Sequence, residues 1–444
     1  MKSNTDVSIN NIYRLDGRVP LGKAIPFGLQ HVLAMFVANL TPIVIVTAAA
    51  GLESSQTAAL IQNAMFIAGV ATLIQLYPVW RIGAKLPIVM GVSFTFVTIL
   101  SSVGAKYGYS AMLGAILIGG VVEGTLGLFA RYWRKLISPI VSACVVTSIG
   151  FSLLTVGARS FGGGYTESFG SGVNLLIGTV TLLSCLLFNI FAKSYWKQLS
   201  VLFGLVVGYI LAIILGVVDL SGIFSGGVLS LPKILPFLPE FRLGAILSVV
   251  VIFLVSATET IGDTTAMVVS GLDRDITERE ISGSLACDGF ASSVSSLFGC
   301  LPVTSFSQNV GLIAMTKVVN RFTIMTGAIC MILAGLFPPI GSFFASLPDA
   351  VLGGCTIMMF GSIIVSGIQM LSRAGFSQRN TIIASLSLSV GIGFTLIPDI
   401  FRIFPAIVQD VFAENCVAVV FVLALLLNLI LPENMDIEKV AEEK

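Results

Sequence analysis

Charge is scarce in this sequence. Only 11% of its 444 residues are Asp, Glu, Lys or Arg, against about 25% in soluble domains. With 56% hydrophobic residues and a mean hydropathy of +0.99, a soluble globular protein is excluded. Histidine is rarer still: His31 stands alone, which argues against a His-based metal site or a haem held by two histidines. Seven cysteines lie scattered in apolar segments without a CxxC pair. They read as small buried hydrophobes, not as metal ligands. A net charge of +1 leaves no electrostatic footprint for nucleic acid.

What is present is a series of long apolar runs. A helix needs roughly 20 apolar residues to cross a bilayer. We read about fourteen spans, centred near residues 37, 67, 95, 119, 148, 181, 207, 255, 289, 309, 330, 360, 388 and 423. With that count both termini share a side, and the segments on that side hold 19 of the 24 Lys and Arg residues. The positive-inside rule then makes both termini cytoplasmic in a multi-pass protein of the cell (inner) membrane.

The third and tenth runs are unusual. KLPIVMGVSFTFVTIL starts at Lys85 and GCLPVTSFSQNVGLIAMTK at Gly299. Each opens on Leu-Pro, turns briefly β-branched, then polar. Leu86-Pro87 and Leu301-Pro302 lie 215 residues apart, and Pro139 and Pro348 lie 209 apart. Seven spans per half is odd, so the second repeat is expected to be inverted. Inverted repeats with interrupted helices at matching positions are a transporter signature, with the site at mid-depth between them. The 215-residue offset places Ser93 on Gln308 and Phe94 on Asn309, where an extended piece meets a half-helix. Extended backbone at that depth must be buried in protein or line a cavity.

Glu259 and Asp263 are the only ionisable side chains between Arg242 and Asp273. Four residues apart, they share a helix face. A carboxylate in a bilayer is expensive, so it usually faces a cavity and works. Glu259 suits a ligand role, because a carboxylate accepts from two ring N–H donors at once; a helix-end acid at the water interface is the alternative. Asp263 suits proton coupling, since two like charges at this spacing repel; an acid held by backbone N–H groups for structure is the alternative. Gln308 offers a donor and an acceptor side by side, matching a cyclic amide or purine edge. Asn309 reads as scaffold at the start of the half-helix. His31, after Gln30, reads as a buried hydrogen-bond partner or a proton carrier. Asp288 is a third intramembrane acid, able to link helices or relay protons. Glu123, among small residues, reads as a helix-packing position.

Together these residues resemble the nucleobase–cation symporter-2 family, the nucleobase–ascorbate transporters, over about residues 20–430. The strongest motif is Gln308-Asn309-Val310-Gly311-Leu312-Ile313-Ala314-Met315-Thr316-Lys317. It is similar to the family signature of Gln/Glu/Pro-Asn-x-Gly, four variable residues, Thr and Lys/Arg/Gly. Gln30-His31 matches the family's first-span pair, Thr258 to Asp263 its eighth-span acidic motif, and Asp288 its ninth-span acid.

The resemblance implies an all-α polytopic fold of 14 spans as a 7+7 inverted repeat, with short antiparallel β-strands and half-helices in spans 3 and 10. It implies a cytoplasmic N-terminal segment (1–23), a core domain in two parts (24–135, spans 1–4; 241–343, spans 8–11), a gate domain in two parts (136–240, spans 5–7; 344–432, spans 12–14) and a cytoplasmic tail (433–444). It implies a homodimer, elevator-like movement of the core, and no cofactor beyond a proton as coupling ion. A purine is expected between Glu259 and Gln308, with backbone groups near Phe94 and Ser307. Uracil-type members resemble one another in having Glu where Gln308 stands, whereas purine-type members have Gln. Ser93 departs from the Asn of xanthine-selective bacterial relatives and resembles members that accept uric acid.

The expected function is therefore proton-coupled import of xanthine and/or uric acid. Uracil or another nucleobase, or sodium coupling, is the alternative on the same fold. An anion exchanger of the same architecture should favour a cationic pocket, and the intramembrane acids speak against it. A membrane enzyme such as an isoprenoid transferase should show Asp-rich loop motifs. Only Asp273-Arg274-Asp275 comes near, and it reads as a solvated loop.

Overall fold

The computed structural model describes residues 7–218 and 227–432. The tail at 433–444 and the first six residues of the N-terminal segment lie outside the described residues. Seventeen α-helices and two short strands follow one another in the described chain. The first half holds α1 (Leu21–Ala49), α2 (Ser54–Leu76), β1 (Met90–Val92), α3 (Val97–Tyr107), α4 (Tyr109–Leu128), α5 (Ala130–Trp133), α6 (Pro139–Phe161), α7 (Gly172–Phe191) and α8 (Ser200–Ile214). The second holds α9 (Leu243–Leu272), α10 (Glu278–Leu297), β2 (Val303–Ser305), α11 (Ser307–Thr316), α12 (Arg321–Ala334), α13 (Pro338–Ala345), α14 (Asp349–Ala374), α15 (Gln378–Leu396), α16 (Ala406–Phe412) and α17 (Cys416–Ile430).

Local chemistry sets many of these boundaries. Pro139 opens α6 at a position whose N–H needs no partner. Ser171 and Ser377 cap α7 and α15 by accepting from Asn174 and Asn380. Thr277 and Glu280 form a reciprocal capping box at α10. A 3-10 turn, Phe94–Phe96, joins β1 to α3.

Every expected span centre falls on one of these elements, position 95 on the 3-10 turn. Length and apolarity pick out fewer. Eight helices are long and apolar enough to cross a membrane, or up to ten if the bent pairs α12–α13 and α16–α17 each count as one. The shortfall has physical causes. α3 and α11 are half-helices of 11 and 10 residues. α10 is rich in Ser and Gly, and most of its residues are buried against protein.

β1 and β2 pair antiparallel, with Met90 opposite Ser305, Gly91 opposite Thr304 and Val92 opposite Val303. Ser93 N–H donates to the Pro302 carbonyl and Phe306 N–H to the Val89 carbonyl, extending the ladder at both ends. The outer edges are finished by side chains. Asn39 of α1 accepts from Val92 N–H at 2.7 Å, Thr72 of α2 from Met90 N–H at 2.9 Å, and Ser292 of α10 from Val303 N–H at 3.1 Å. A ribbon buried in an apolar bundle needs such partners, because no water is there to supply them.

α4 packs along α9 and α10, α12 packs on α1 and α2, and α14 packs on α6, α7 and α8. The sheet sits among α1, α2 and α10.

Candidate functional site

Both strands hand the chain to a half-helix at the same place. The 3-10 turn starts at Phe94, directly after Ser93, and α11 starts at Ser307. α9 passes beside both, carrying Glu259 and Asp263. Thr95 donates to Glu259 Oε2 at 2.6 Å. Ser307 donates to both Asp263 oxygens at 2.9 and 2.8 Å, and Ser305 to Oδ2 at 3.2 Å. The two acids are thus tied to opposite half-helices: Glu259 to the turn after β1, Asp263 to β2 and α11.

One turn deeper in the packing, Asp288 of α10 is fully buried. It accepts from Thr260 at 2.5 Å, from Ser305 N–H at 3.1 Å and from Gln75 at 3.2 Å. It therefore links α9, α2 and β2. Asn309 donates its amide to His31 Nδ1 at 3.2 Å and to the His31 carbonyl at 3.1 Å. That pair locks α11 onto α1, and both side chains are buried. Glu123 is buried as well, yet neither of its carboxylate oxygens has a hydrogen-bond partner among the described residues.

Glu259, Asp263, Ser307 and Gln308 line one cavity of about 1020 Å³. Its other walls are largely apolar, with Val37, Val146, Met358 and Met359 among them. A mostly apolar cleft with a few converging polar groups is the usual form of a small-molecule site. The Gln308 amide has no side-chain hydrogen bond among the described residues, so both of its functions are free for a ligand. Ser307 and Gln308 occupy the first turn of α11, whose backbone N–H groups have no partner within the helix. The far wall includes Lys197, Arg373 and Arg379, all in segments assigned above to the basic side. The cavity thus extends from the half-helix ends towards that side.

Besides His31, Asp288 and Asn309, three more expected site residues stand apart from this cavity. The Ser93 hydroxyl is buried and caps the 3-10 turn by accepting from Thr95 N–H at 3.2 Å. Phe94 is buried with its ring edge-on to Phe360, 5.3 Å between centroids. Gln30 is half-buried on α1 and is not among the lining residues.

Met90 and Val303, which open the two strands, lie 213 residues apart, and the half-helices α3 and α11 open at Val97 and Ser307, 210 apart. The spacing differs from element to element, and Leu86-Pro87 and Leu301-Pro302 stand at different distances from their strands. Thr95 is the residue the sequence reading missed. Its signal was one of two hydroxyls, with Thr98, in the otherwise apolar run FTFVTIL. Gln75 and Ser305, the partners of Asp288, carried no signal, because only the folded chain brings them near an acid.

A helical bundle with spans of bilayer length, and a ligand-sized cavity where two interrupted helices meet, defines a multi-pass membrane permease. The chain belongs to the permease family known as the nucleobase–cation symporter-2 family, whose model matches residues 22–400. It is 33% identical to a putative purine permease of Clostridium perfringens, over 99% of this chain and 98% of that protein. It is 34% identical to the xanthine permease XanQ of Escherichia coli, over 95% and 94% of the two chains. The xanthine permease of Bacillus subtilis is 33% identical over 95% and 97%. Among solved structures, the murine anion transporter Slc26a9 matches with a TM-score of 0.60 at 10% identity, over 93% of this chain and 70% of that one. The transmembrane domain of the cyanobacterial bicarbonate transporter BicA matches with a TM-score of 0.54 at 14% identity, over 92% and 98%. At such identities these two share the fold alone.

Proposed function

We propose that this permease imports a purine base, xanthine and/or uric acid, together with protons. One observation carries the reading: Glu259 and the unpaired Gln308 amide line the same cavity. An ionised carboxylate accepts from ring N–H groups, and a primary amide meets an adjacent N–H and C=O. The names of the three relatives, two of them xanthine permeases, support a purine over a pyrimidine.

Movement follows from the packing. The acids, the strands and both half-helices belong to the expected core, spans 1–4 and 8–11; α6 to α8 and α14 to α17 belong to the expected gate. In this reading the fourteen spans form an inverted 7+7 repeat, the cavity opens to the cytoplasm, and the core slides past the gate as an elevator. A homodimer would hold the gate still in the bilayer, with both termini cytoplasmic. The proton is the coupling ion. Asp263, joined to β2 and α11 by Ser305 and Ser307, is placed to feel protonation and base binding together. Asp288 and the His31–Asn309 pair hold the same half-helix in register.

The test is uptake of labelled xanthine and urate into proteoliposomes with and without an inward proton gradient. Accumulation driven by the proton gradient supports the reading. Uptake of neither base overturns the substrate, and uptake driven only by sodium overturns the coupling.

A further inference from the structure

Four carboxyl groups lie in the helices around the site: Glu123, Glu259, Asp263 and Asp288. None of them takes part in an ion pair among the described residues. Three have donors, as described above. Glu123 differs. It is 1% exposed, and both of its oxygens lack a partner.

Its position is set by small residues. A Cβ on Gly119 would lie 2.2 Å from the Phe253 ring of α9, and one on Gly120 would lie 2.5 Å from the Gly289 carbonyl of α10. α4 and α9 run parallel, so Glu123, one turn beyond Gly119, comes level with Ser256 and Ala257, one turn beyond Phe253. The Ser256 hydroxyl is also buried and without a partner. Glu123 thus sits between the helix that carries Glu259 and the helix that carries Asp288, outside the substrate cavity.

The titratable groups on the elements packed against α4 are few. α9 brings Glu259 and Asp263, α10 brings Cys287 and Asp288 and, in its first turn, Glu278, Arg279 and Glu280, and α3 brings Lys106 and Tyr107. Lys106 and Tyr107 are both bonded to Asp410, and Arg279 donates to the carbonyls of Trp80, Arg81 and Gly83. None of the cations on these helices pairs with Glu123 among the described residues. An isolated carboxylate buried without a hydrogen-bond donor or a counter-charge is not sustained as an anion; such a group takes up a proton instead.

Resting on the proposed function, we infer that Glu123 is a proton-binding site of the transport cycle, its ligand a single proton held as an O–H bond on one carboxylate oxygen. Loading this site removes a negative charge from the neighbourhood of Glu259. Glu259 then stays ionised and accepts the N–H groups of the base. Release of the base permits release of the proton, and by linkage each ligand strengthens the other. Asp263 remains a separate candidate on the cavity wall; Glu123 does not line that cavity.

Two measurements on the full-length protein test this. Infrared difference spectra, recorded across a pH titration, should show a protonated carboxyl band that is absent in Glu123→Gln. Base binding, followed by heat shift with xanthine, should weaken with rising pH in the wild type and become independent of pH in Glu123→Gln, which mimics the loaded state. Binding by the variant at acidic pH shows that it is folded; if it does not bind, Glu123→Asp, which can still take a proton, should restore both the band and the pH dependence. An unchanged carboxyl band in Glu123→Gln overturns the proposal, as does a wild-type pH dependence of binding in that variant. If the wild type binds no purine, the proposed function fails, and the infrared result still decides whether Glu123 holds a proton.

Discussion

The two acids of α9 do different work although they lie one helical turn apart. Glu259 has one side-chain donor, Thr95, and lines the cavity; Asp263 has its donors in Ser305 and Ser307. Replacing Glu259 by Gln should weaken xanthine binding by about 10- to 100-fold, in line with about 1.5–3 kcal/mol for hydrogen bonds to a charged group. Calorimetric titration of the purified protein checks this, and wild-type affinity would remove Glu259 from the site. Thr95→Val removes only the hydroxyl that orients Glu259. It should cost about 1 kcal/mol, or roughly fivefold in affinity, with little change in thermal stability. The acids, His31 and Gln308 were legible in the sequence because a polar residue in an apolar run is costly and so stands out. Thr95 and Gln75 were not, since a Thr bonds its own helix backbone as readily as a ligand-binding acid.

At the scale of elements, the strand pair decides where the site lies. It depends on close approach at Gly91, where a Cβ would lie 2.5 Å from Met35 Cε and 2.8 Å from both Asn39 Oδ1 and Phe306 Cδ2. Gly91→Val should therefore overpack the ribbon, costing about 1–3 kcal/mol. A lowered Tm in detergent, together with lost purine binding, is the expected outcome. Asn39→Leu should give a comparable loss for another reason: it leaves the buried Val92 N–H without its acceptor. The sequence showed both interrupted runs through their Leu-Pro openings. It could not set how many residues lie between each proline and its strand, because the strand bounds are settled by pairing across the sheet. The span centres all fell on elements of the fold but left α3, α5, α13 and α16 without one, and hydropathy could not grade α3, α10 and α11, which are short or polar and are shielded by neighbouring protein.

In the fourteen-span reading the large cavity lies towards the side of Lys197, Arg373 and Arg379, and polar side chains join α3, α9 and α16 on the other. There Lys106 and Tyr107 of α3 bond Asp410 of α16 at 2.5 and 2.6 Å, and Ser102 bonds Glu414 at 2.5 Å. Ser248 of α9 adds a bond to the Asp410 carbonyl at 2.9 Å. A smaller cavity of about 340 Å³, lined by Ala49, Ser102 and Arg159, lies on this side between α1, α3 and α6. If the bundle alternates between two openings, Asp410→Asn should favour the opposite one. The ion pair is largely exposed on its Lys106 side, so the shift is modest, about two- to fivefold in population. An Ala49→Cys reporter should then react faster with a membrane-impermeant thiol reagent added outside. An unchanged rate would show that this contact does not hold the closure.

The sequence by itself determined that the chain lives in a bilayer, that its family is a permease family, and which few polar residues are too costly to be idle. Those are local properties: hydropathy accumulates residue by residue, and a motif needs only its own spacing. The tertiary structure alone decided which donor each acid receives, that Thr95 rather than Ser93 bonds Glu259, and which residues share the cavity. It also decided that Glu123 stands without a partner among the described residues. These depend on contacts between segments from 17 to 213 residues apart, which no local pattern records. In a low-dielectric interior, the presence or absence of one such contact sets whether a carboxyl group binds a ligand, holds a helix or keeps a proton.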